Sequence, residues 1–332
     1  MKTMKAWVVT APRKLELLEV PVPTPRSNEI LIKTTYTCLC NGSDPGIYQG
    51  HEAYTPPFVF GHEAGGIVVE QGEDVTACKP GDLVFCWCAI GSFAEYQLIC
   101  PDEVALFRVP KALSPEAAPV MELVIAACRA LMGRPAGEGR STLLICGLGP
   151  SGLVLTQYAR LLGYRRIVGW DLYGQRRSLA LELGADAVYD AAVVGPEQLA
   201  EMGEFDVSVD SMGNDILPGE PTFTSLLRAT RRGGTVVSYG HPHNGRHFSP
   251  YVFQSRNLTM VPPEGDLDVI REKGRFVLEA VEAGTIRVEP LITHRMGFGE
   301  IGPAFQHLLE HPEDQIKVVF NMDKVQKEGA VL

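Results

Sequence analysis

Hydrophobic and polar positions alternate in short runs over the first third of the chain, at residues 5–9, 29–35, 66–71, 82–86 and 93–99, with Pro, Gly and Asp between them. A period of two between turn residues predicts short strands, and the set predicts an antiparallel, barrel-like region. From Ser114 the period changes. Helical spacing now alternates with apolar runs at residues 141–146, 166–170, 206–210 and 234–239, which predicts βαβ units closing on a parallel sheet. A helix-like segment at 274–283 leads to strand and helix signals near 291–294 and 301–309, then to a last strand at 316–320. The predicted class is α/β.

Length and charge narrow this picture. Single cores stop growing near ~250–300 residues, so 332 residues predict two domains. A chain that is 45% hydrophobic and 21% charged is neither disordered nor a coiled coil. Acidic residues outnumber basic ones, 40 to 30, and the net charge of −10 offers no basic face to a nucleic acid or an anionic membrane. Neither is an expected partner. The longest apolar stretch, 117–132, is broken by Glu122 and Arg129, so it does not read as a membrane span. The first residues run from Met1 and Lys2 straight into a strand pattern without a signal-peptide core, and a reducing cytoplasm is expected. The eight cysteines are then free or metal-bound rather than paired.

The apolar run 141–146 ends in Gly147, Leu148, Gly149, Pro150, Ser151 and Gly152, and a helical pattern follows at once. Strand, glycine turn and helix are the order a dinucleotide site requires. Gly147 permits the tight turn, Gly149 lets the backbone approach a pyrophosphate, Gly152 lets helix and strand pack, and the phosphates would sit on the helix N-terminus. Asp171 ends the next predicted strand, 24 residues after Gly147, close to the ~20 expected of an acid that binds ribose hydroxyls. It would repel a 2′-phosphate and favour NAD over NADP. Arg176 and Arg177 bear on that preference, since a basic pair could meet a 2′-phosphate. The bland alternatives are a structural glycine turn and an aspartate capping a loop.

Three stretches before this turn carry potential metal ligands: Cys40, then His62 with Glu63, then Glu122. One thiolate, one imidazole and one carboxylate leave a fourth position open, as catalytic zinc requires, and two anions neutralise Zn²⁺ while letting it acidify an alcohol. The residues are far apart in the chain, so spacing alone cannot establish a site. Each also has an ordinary reading, as a small buried thiol, a loop histidine and an acid at a helix N-terminus.

Several runs in order bring a family into view. They are Gly61-His62-Glu63-Ala64-Gly65-Gly66 with its following strand, Lys79-Pro80-Gly81-Asp82, Gly91-Ser92-Phe93-Ala94-Glu95-Tyr96, the Gly147–Gly152 turn, Glu182-Leu183-Gly184-Ala185-Asp186, and Leu291-Ile292-Thr293-His294-Arg295. Across nearly its whole length the sequence resembles the medium-chain dehydrogenase/reductase superfamily, in its zinc-dependent alcohol and polyol dehydrogenase branch (sorbitol, glucose and threonine dehydrogenase-like). The resemblance implies a GroES-like β-barrel catalytic domain, 1–117 and 286–332, around an inserted Rossmann domain with a doubly wound parallel sheet, 118–285. It implies one catalytic zinc on Cys40, His62 and Glu122, with Glu63 behind the metal or exchanging onto it. A third permanent anion would blunt the metal's Lewis acidity, so Glu63 is expected to act from behind it or transiently.

Three departures from the family pattern matter. Asn41 is a one-residue insertion before Gly42-Ser43-Asp44, which leaves the placement of Ser43, the expected proton carrier, open. The histidine often found two residues after that Asp is Gly46 here, so His51 becomes the candidate relay. The lobe that holds a structural zinc in relatives is reduced to the segment 85–90, and Cys86 with Cys88 cannot close a tetrahedral site alone, so no structural zinc is expected.

The implied reaction is reversible hydride transfer between a secondary alcohol and NAD(P). The glutamate ligand and Tyr48, His51, Tyr54 and Trp87 suggest a polyol, sugar or cyclitol-like substrate. The alternatives are a zinc-independent NAD(P)H reductase of the same superfamily and, from another class, a non-catalytic NAD-binding protein. The resemblance also implies a homodimer or homotetramer joined through the Rossmann sheet edge near 252–260.

Overall fold

A computed structural model describes residues 2–51, 54–137, 141–201, 204–214, 217–243 and 245–323. The chain forms two compact units, Met1–Ile125 with Val288–Leu332, and Ala126–Arg287. One division falls inside the helix Val120–Cys128 and the other just before the 3-10 turn Glu289–Leu291.

The first unit begins with strands β1 (Thr3–Ala11), β2 (Lys14–Pro21) and β3 (Ile30–Cys38), the helix α1 (Ser43–Gln49), and strands β4 (Phe58–Val59) to β8: β5 (Glu63–Gln71), β6 (Leu83–Trp87), β7 (Tyr96–Ile99) and β8 (Ala105–Arg108). Helix α2 (Val120–Cys128) closes this segment. The predicted strand at 93–99 is shorter because Phe93 pairs elsewhere: its N–H bonds the Phe60 carbonyl and its own carbonyl accepts from Trp7. In this segment three strands went unpredicted, and each has a weak alternation; β2 is exposed or half-buried throughout, β4 has two residues and β8 has four.

In the second unit β9 (Thr142–Cys146), α3 (Pro150–Leu161), β10 (Arg166–Asp171), α4 (Gly174–Glu182), β11 (Ala187–Asp190), α5 (Pro196–Glu201), β12 (Phe205–Asp210), α6 (Thr222–Ala229), β13 (Thr230–Ser238), α7 (Pro250–Ser255), β14 (Thr259–Val261) and α8 (Leu267–Glu282) follow in turn. The six strands are all parallel, in the order β11-β10-β9-β12-β13-β14. That is the doubly wound order of a Rossmann sheet, which reverses beside β9 and opens a ligand crevice at the strands' carboxyl ends. Leu144, Val168, Phe205, Phe223 and Val236 are buried in its core. Helix α8 starts at Leu267 rather than 274, because the Asp266 side chain caps the N–H groups of Asp268 and Val269. The expected interface segment 252–260 spans part of α7 and the edge strand β14.

The chain then returns to the first unit as β15 (Ile292–Gly297), α9 (Ile301–Glu310) and β16 (Lys317–Asn321). The last strand pairs antiparallel with β3, and β3 pairs antiparallel with β5, so a seven-stranded sheet runs β15-β16-β3-β5-β6-β8 with β7 also on β3. Trp7, Phe60, Phe93, Phe305 and Phe320 share one buried core cluster of this unit. No helix among the described residues is long and apolar enough to cross a membrane.

Candidate metal and dinucleotide sites

Cys38 lies directly opposite Glu63 in the β3–β5 ladder. Cys40, just past the end of β3, therefore meets His62 and Glu63 at the start of β5. The donor atoms of Cys40, His62 and Glu63 all lie within 4.8 Å of one another. Gly61 makes the approach: its φ is +78°, and a Cβ there would lie 2.3 Å from the Phe93 ring.

Asp44, fully buried at the start of α1, organises the cluster. One carboxylate oxygen stands 3.1 Å from His62 Nδ1, and the other accepts the Cys40 N–H at 2.9 Å. With Nδ1 directed to a carboxylate, Nε2 is the nitrogen left for a ligand. Burial opposes a charge on His62, but Asp44 and Cys40 outweigh it and hold the imidazole well above its usual pKa. Ser43 Oγ donates to Cys40 Sγ at 3.1 Å and lies 3.3 Å from His62 Nε2. The insertion at Asn41 thus leaves Ser43 against both donors.

The Glu63 carboxylate is buried, and its two oxygens differ. Oε2 accepts the Cys38 thiol at 2.6 Å and the ammonium of buried Lys317, which also donates to the Leu39 carbonyl. Oε1 is buried with no hydrogen-bond partner. Burial first, then the Glu63 charge, pushes the Cys38 thiol well up, so it stays a donor. A buried carboxylate with one unsatisfied oxygen, grouped with a thiol and an imidazole, is a donor set that fits zinc.

Glu122 is buried in the first turn of α2 but lies outside the Cys40, His62 and Glu63 group. Burial, then the charge of Glu122, raises the Cys86 thiol. His51 is exposed just beyond α1, with Nε2 3.2 Å from Gln49 Oε1. The Tyr48 hydroxyl donates to the Arg13 carbonyl and its ring packs on Phe305, while Tyr54 packs on Phe58. Cys88 is exposed, and Cys100 accepts from Asn28 Nδ2.

In the second unit the glycine turn joins β9 to α3, with Pro150 as the first helical residue. A Cβ on Gly152 would lie 2.0 Å from the Gly147 carbonyl oxygen, so the turn closes only with glycine there. Asp171, at the end of β10, accepts the Leu148 N–H at 2.7 Å and the Tyr173 N–H at 2.8 Å. The Ser151 hydroxyl lies 3.1 Å from that of Tyr239. Arg177 is tied to Asp190 and to the carbonyls of Asp171 and Leu172. The Arg176 guanidinium lies 4.4 Å from the Tyr173 ring centroid, and its Nη1 is 3.9 Å from where a Gly149 Cβ would be. The structure therefore gathers Gly147, Leu148, Gly149, Pro150, Ser151, Gly152, Asp171 and Arg176 at the carboxyl end of β9 and β10.

Residues 26–111 match the alcohol dehydrogenase GroES-like domain, and residues 150–262 match the zinc-binding dehydrogenase domain. Sorbitol dehydrogenase of Ovis aries is 28% identical, over 90% of this chain and 91% of its own length. The uncharacterized zinc-type alcohol dehydrogenase-like protein YphC of Escherichia coli is 31% identical, over 64% of this chain and 72% of its own. The chain belongs to the zinc-type alcohol dehydrogenase family. Among solved structures, a Sinorhizobium meliloti 1021 protein described as a zinc-binding dehydrogenase, crystallised with NADP, superposes with a TM-score of 0.80 at 26% identity, covering 97% of this chain and all (100%) of that one.

As a zinc-type alcohol dehydrogenase, the protein is an enzyme acting on small-molecule alcohols. Sequence reasoning missed Asp44, Cys38, Lys317 and Tyr239 as contacts of the two candidate sites. Lys317 left one readable signal, a lone charge inside the apolar run Ile316–Phe320. Asp44 stood in the quoted run after Cys40, without anything to reveal its bond to His62.

Proposed function

We propose that the protein interconverts a secondary alcohol and its ketone with one zinc and NAD, on a polyol, sugar or cyclitol-like substrate. Cys40, His62 and Glu63 would hold the zinc, with Glu122 as a further carboxylate for it. The observation that carries the reading is the convergence of three donors, one of them a carboxylate with an unpartnered buried oxygen and another a histidine already oriented by Asp44. When bound, zinc supplies Lewis-acid stabilisation of charge on the substrate oxygen, and the nicotinamide accepts or returns the hydride.

The chain's own residues do the rest. Asp44 fixes the His62 ring and the Cys40 backbone. Ser43 Oγ, whose hydroxyl can rotate between donor and acceptor, takes the substrate proton at its oxygen. His51, exposed and a few residues on, serves as the solvent-side relay. Asp171 retains lone pairs for the ribose hydroxyls and repels a 2′-phosphate, which favours NAD; Arg176 beside the turn meets the pyrophosphate. The sorbitol dehydrogenase relatives support a polyol substrate, and eight cysteines outside any disulfide suit a reducing cytoplasm. The exposed edge of β14 is where a homodimer or homotetramer would join.

Zinc content and NADH production from a panel of polyols, sugars, cyclitols and amino alcohols test this directly. About one zinc per chain and zinc-dependent turnover are expected, and undiminished turnover in the chelated, metal-free enzyme would refute it. Asp171→Ala should shift the kcat/KM ratio towards NADP by about tenfold or more.

A further inference from the structure

Lys317 and Cys38 are buried against the metal cluster without belonging to it. Strand register puts them there: Cys38 faces Glu63 on one side and Val319, two residues beyond Lys317, on the other. Both donate to the same oxygen of Glu63, while the other oxygen has no partner. The Thr37 hydroxyl meanwhile donates to the Glu63 backbone carbonyl at 2.6 Å.

We propose that Cys38, together with Lys317, is a positioning residue that clamps Glu63 by Oε2, commits Oε1 to the metal and thereby sets the zinc affinity of the site. The inference rests on the metal reading above. A carboxylate held by one oxygen cannot swing about its terminal torsion, so the free oxygen is presented in one orientation at no further entropic cost. The S–H is a weak donor on its own. Here it faces a buried, charge-balanced carboxylate, where such bonds are strengthened by the low local dielectric. Lys317 performs a second service. The resemblance made a third anion an obstacle, since Cys40, Glu63 and Glu122 together overcompensate Zn²⁺; the Lys317 ammonium offsets one of these charges at Glu63 itself and lets that carboxylate remain in contact with less cost to the metal.

The test uses the full-length protein and zinc itself. Zinc dissociation constants are measured by competition with a chromogenic chelator for wild type, Cys38→Ala, Cys38→Ser and Lys317→Gln, and Co²⁺-loaded samples are compared by their visible absorption. Unfolding temperature and NAD affinity report integrity. Cys38→Ala should weaken zinc binding about tenfold and alter the Co²⁺ band, Cys38→Ser should recover most of the loss because its hydroxyl donates in place of the thiol, and Lys317→Gln should lose about ten- to a hundredfold. Wild-type affinity in folded Cys38→Ala, or a Cys38→Ser variant no better than Cys38→Ala, overturns the clamp. Should Cys38→Ala fail to fold, Lys317→Gln decides: unchanged zinc affinity there overturns it equally. Failure of the wild-type chain to bind zinc tightly would instead defeat the metal reading itself.

Discussion

Replacing Asp44 by Asn tests whether the cluster depends on a buried carboxylate behind the histidine. The change keeps the shape of the side chain and removes its charge. In the wild-type chain both oxygens are used, one towards His62 Nδ1 at 3.1 Å and one accepting the Cys40 N–H at 2.9 Å. An Asn offers one acceptor and one NH₂, so one of these two contacts must become donor against donor. Asp44 has no solvent exposure, so water cannot repair the loss. A hydrogen bond to a charged group is worth about 1.5–3 kcal/mol net, and each 1.4 kcal/mol is a factor of about ten. Zinc affinity should therefore fall about 10- to 100-fold, in line with what loss of an outer partner of a metal-bound histidine typically costs. Chelator competition measures this, with NAD affinity as the control, since the glycine turn and Asp171 belong to the other unit. Zinc affinity within about threefold of wild type in a folded Asp44→Asn protein would show that His62 does not need this carboxylate.

Two further outcomes follow from the second unit. Asp206 accepts the N–H groups of Ser141 and Thr142, the Thr142 hydroxyl and Arg231 Nε. Burial works against its charge, but these donors prevail and lower it from 3.8 to about 2. A carboxylate with a depressed folded-state pKa stabilises above its unfolded value and loses that contribution as pH falls through the folded one. Asp206→Asn should cost about 1–2 kcal/mol near neutral pH after allowance for partial solvent screening, and the gap to wild type in urea unfolding should shrink to about half by pH 3. A gap that stays constant across that range would remove the carboxylate as its cause. Gly152→Ala drives a Cβ to 2.0 Å from the Gly147 carbonyl oxygen; NAD binding should weaken by at least about tenfold while zinc content stays at wild-type level, and isothermal titration with NAD reads it.

The dinucleotide turn was legible because everything that makes it is local. Gly147, Gly152 and Asp171 lie within 25 residues of one another, on a strand, a turn, a helix and the next strand, and each has a steric or electrostatic reason to be that residue type. The candidate metal site was legible in its parts, Cys40, His62 and Glu63, but not in its arrangement. Sequence reasoning expected Glu122 on the metal and Glu63 behind it or exchanging onto it; among the described residues, the tight group of donor atoms holds Glu63 and not Glu122. Strand boundaries followed the same logic: alternation in the longer runs could be read, while β4 and β14, of two and three residues, are too short to show a period and exist through pairing with β1 and β13.

By itself, then, the sequence determined the two-part α/β plan, the glycine turn with its acid, and the residue types offered as candidate metal donors, because hydrophobic period, turn geometry and side-chain chemistry are carried by neighbouring residues. The tertiary structure alone decided which carboxylate faces the donors and what holds it. Lys317 reaches Glu63 across 254 residues only because β16 pairs with β3 and β3 with β5 in one register, and a slip of a single residue would turn Cys38 and Lys317 to the opposite face of the sheet. No local pattern carries that register. It is set by the burial of the sheet's two faces as a whole.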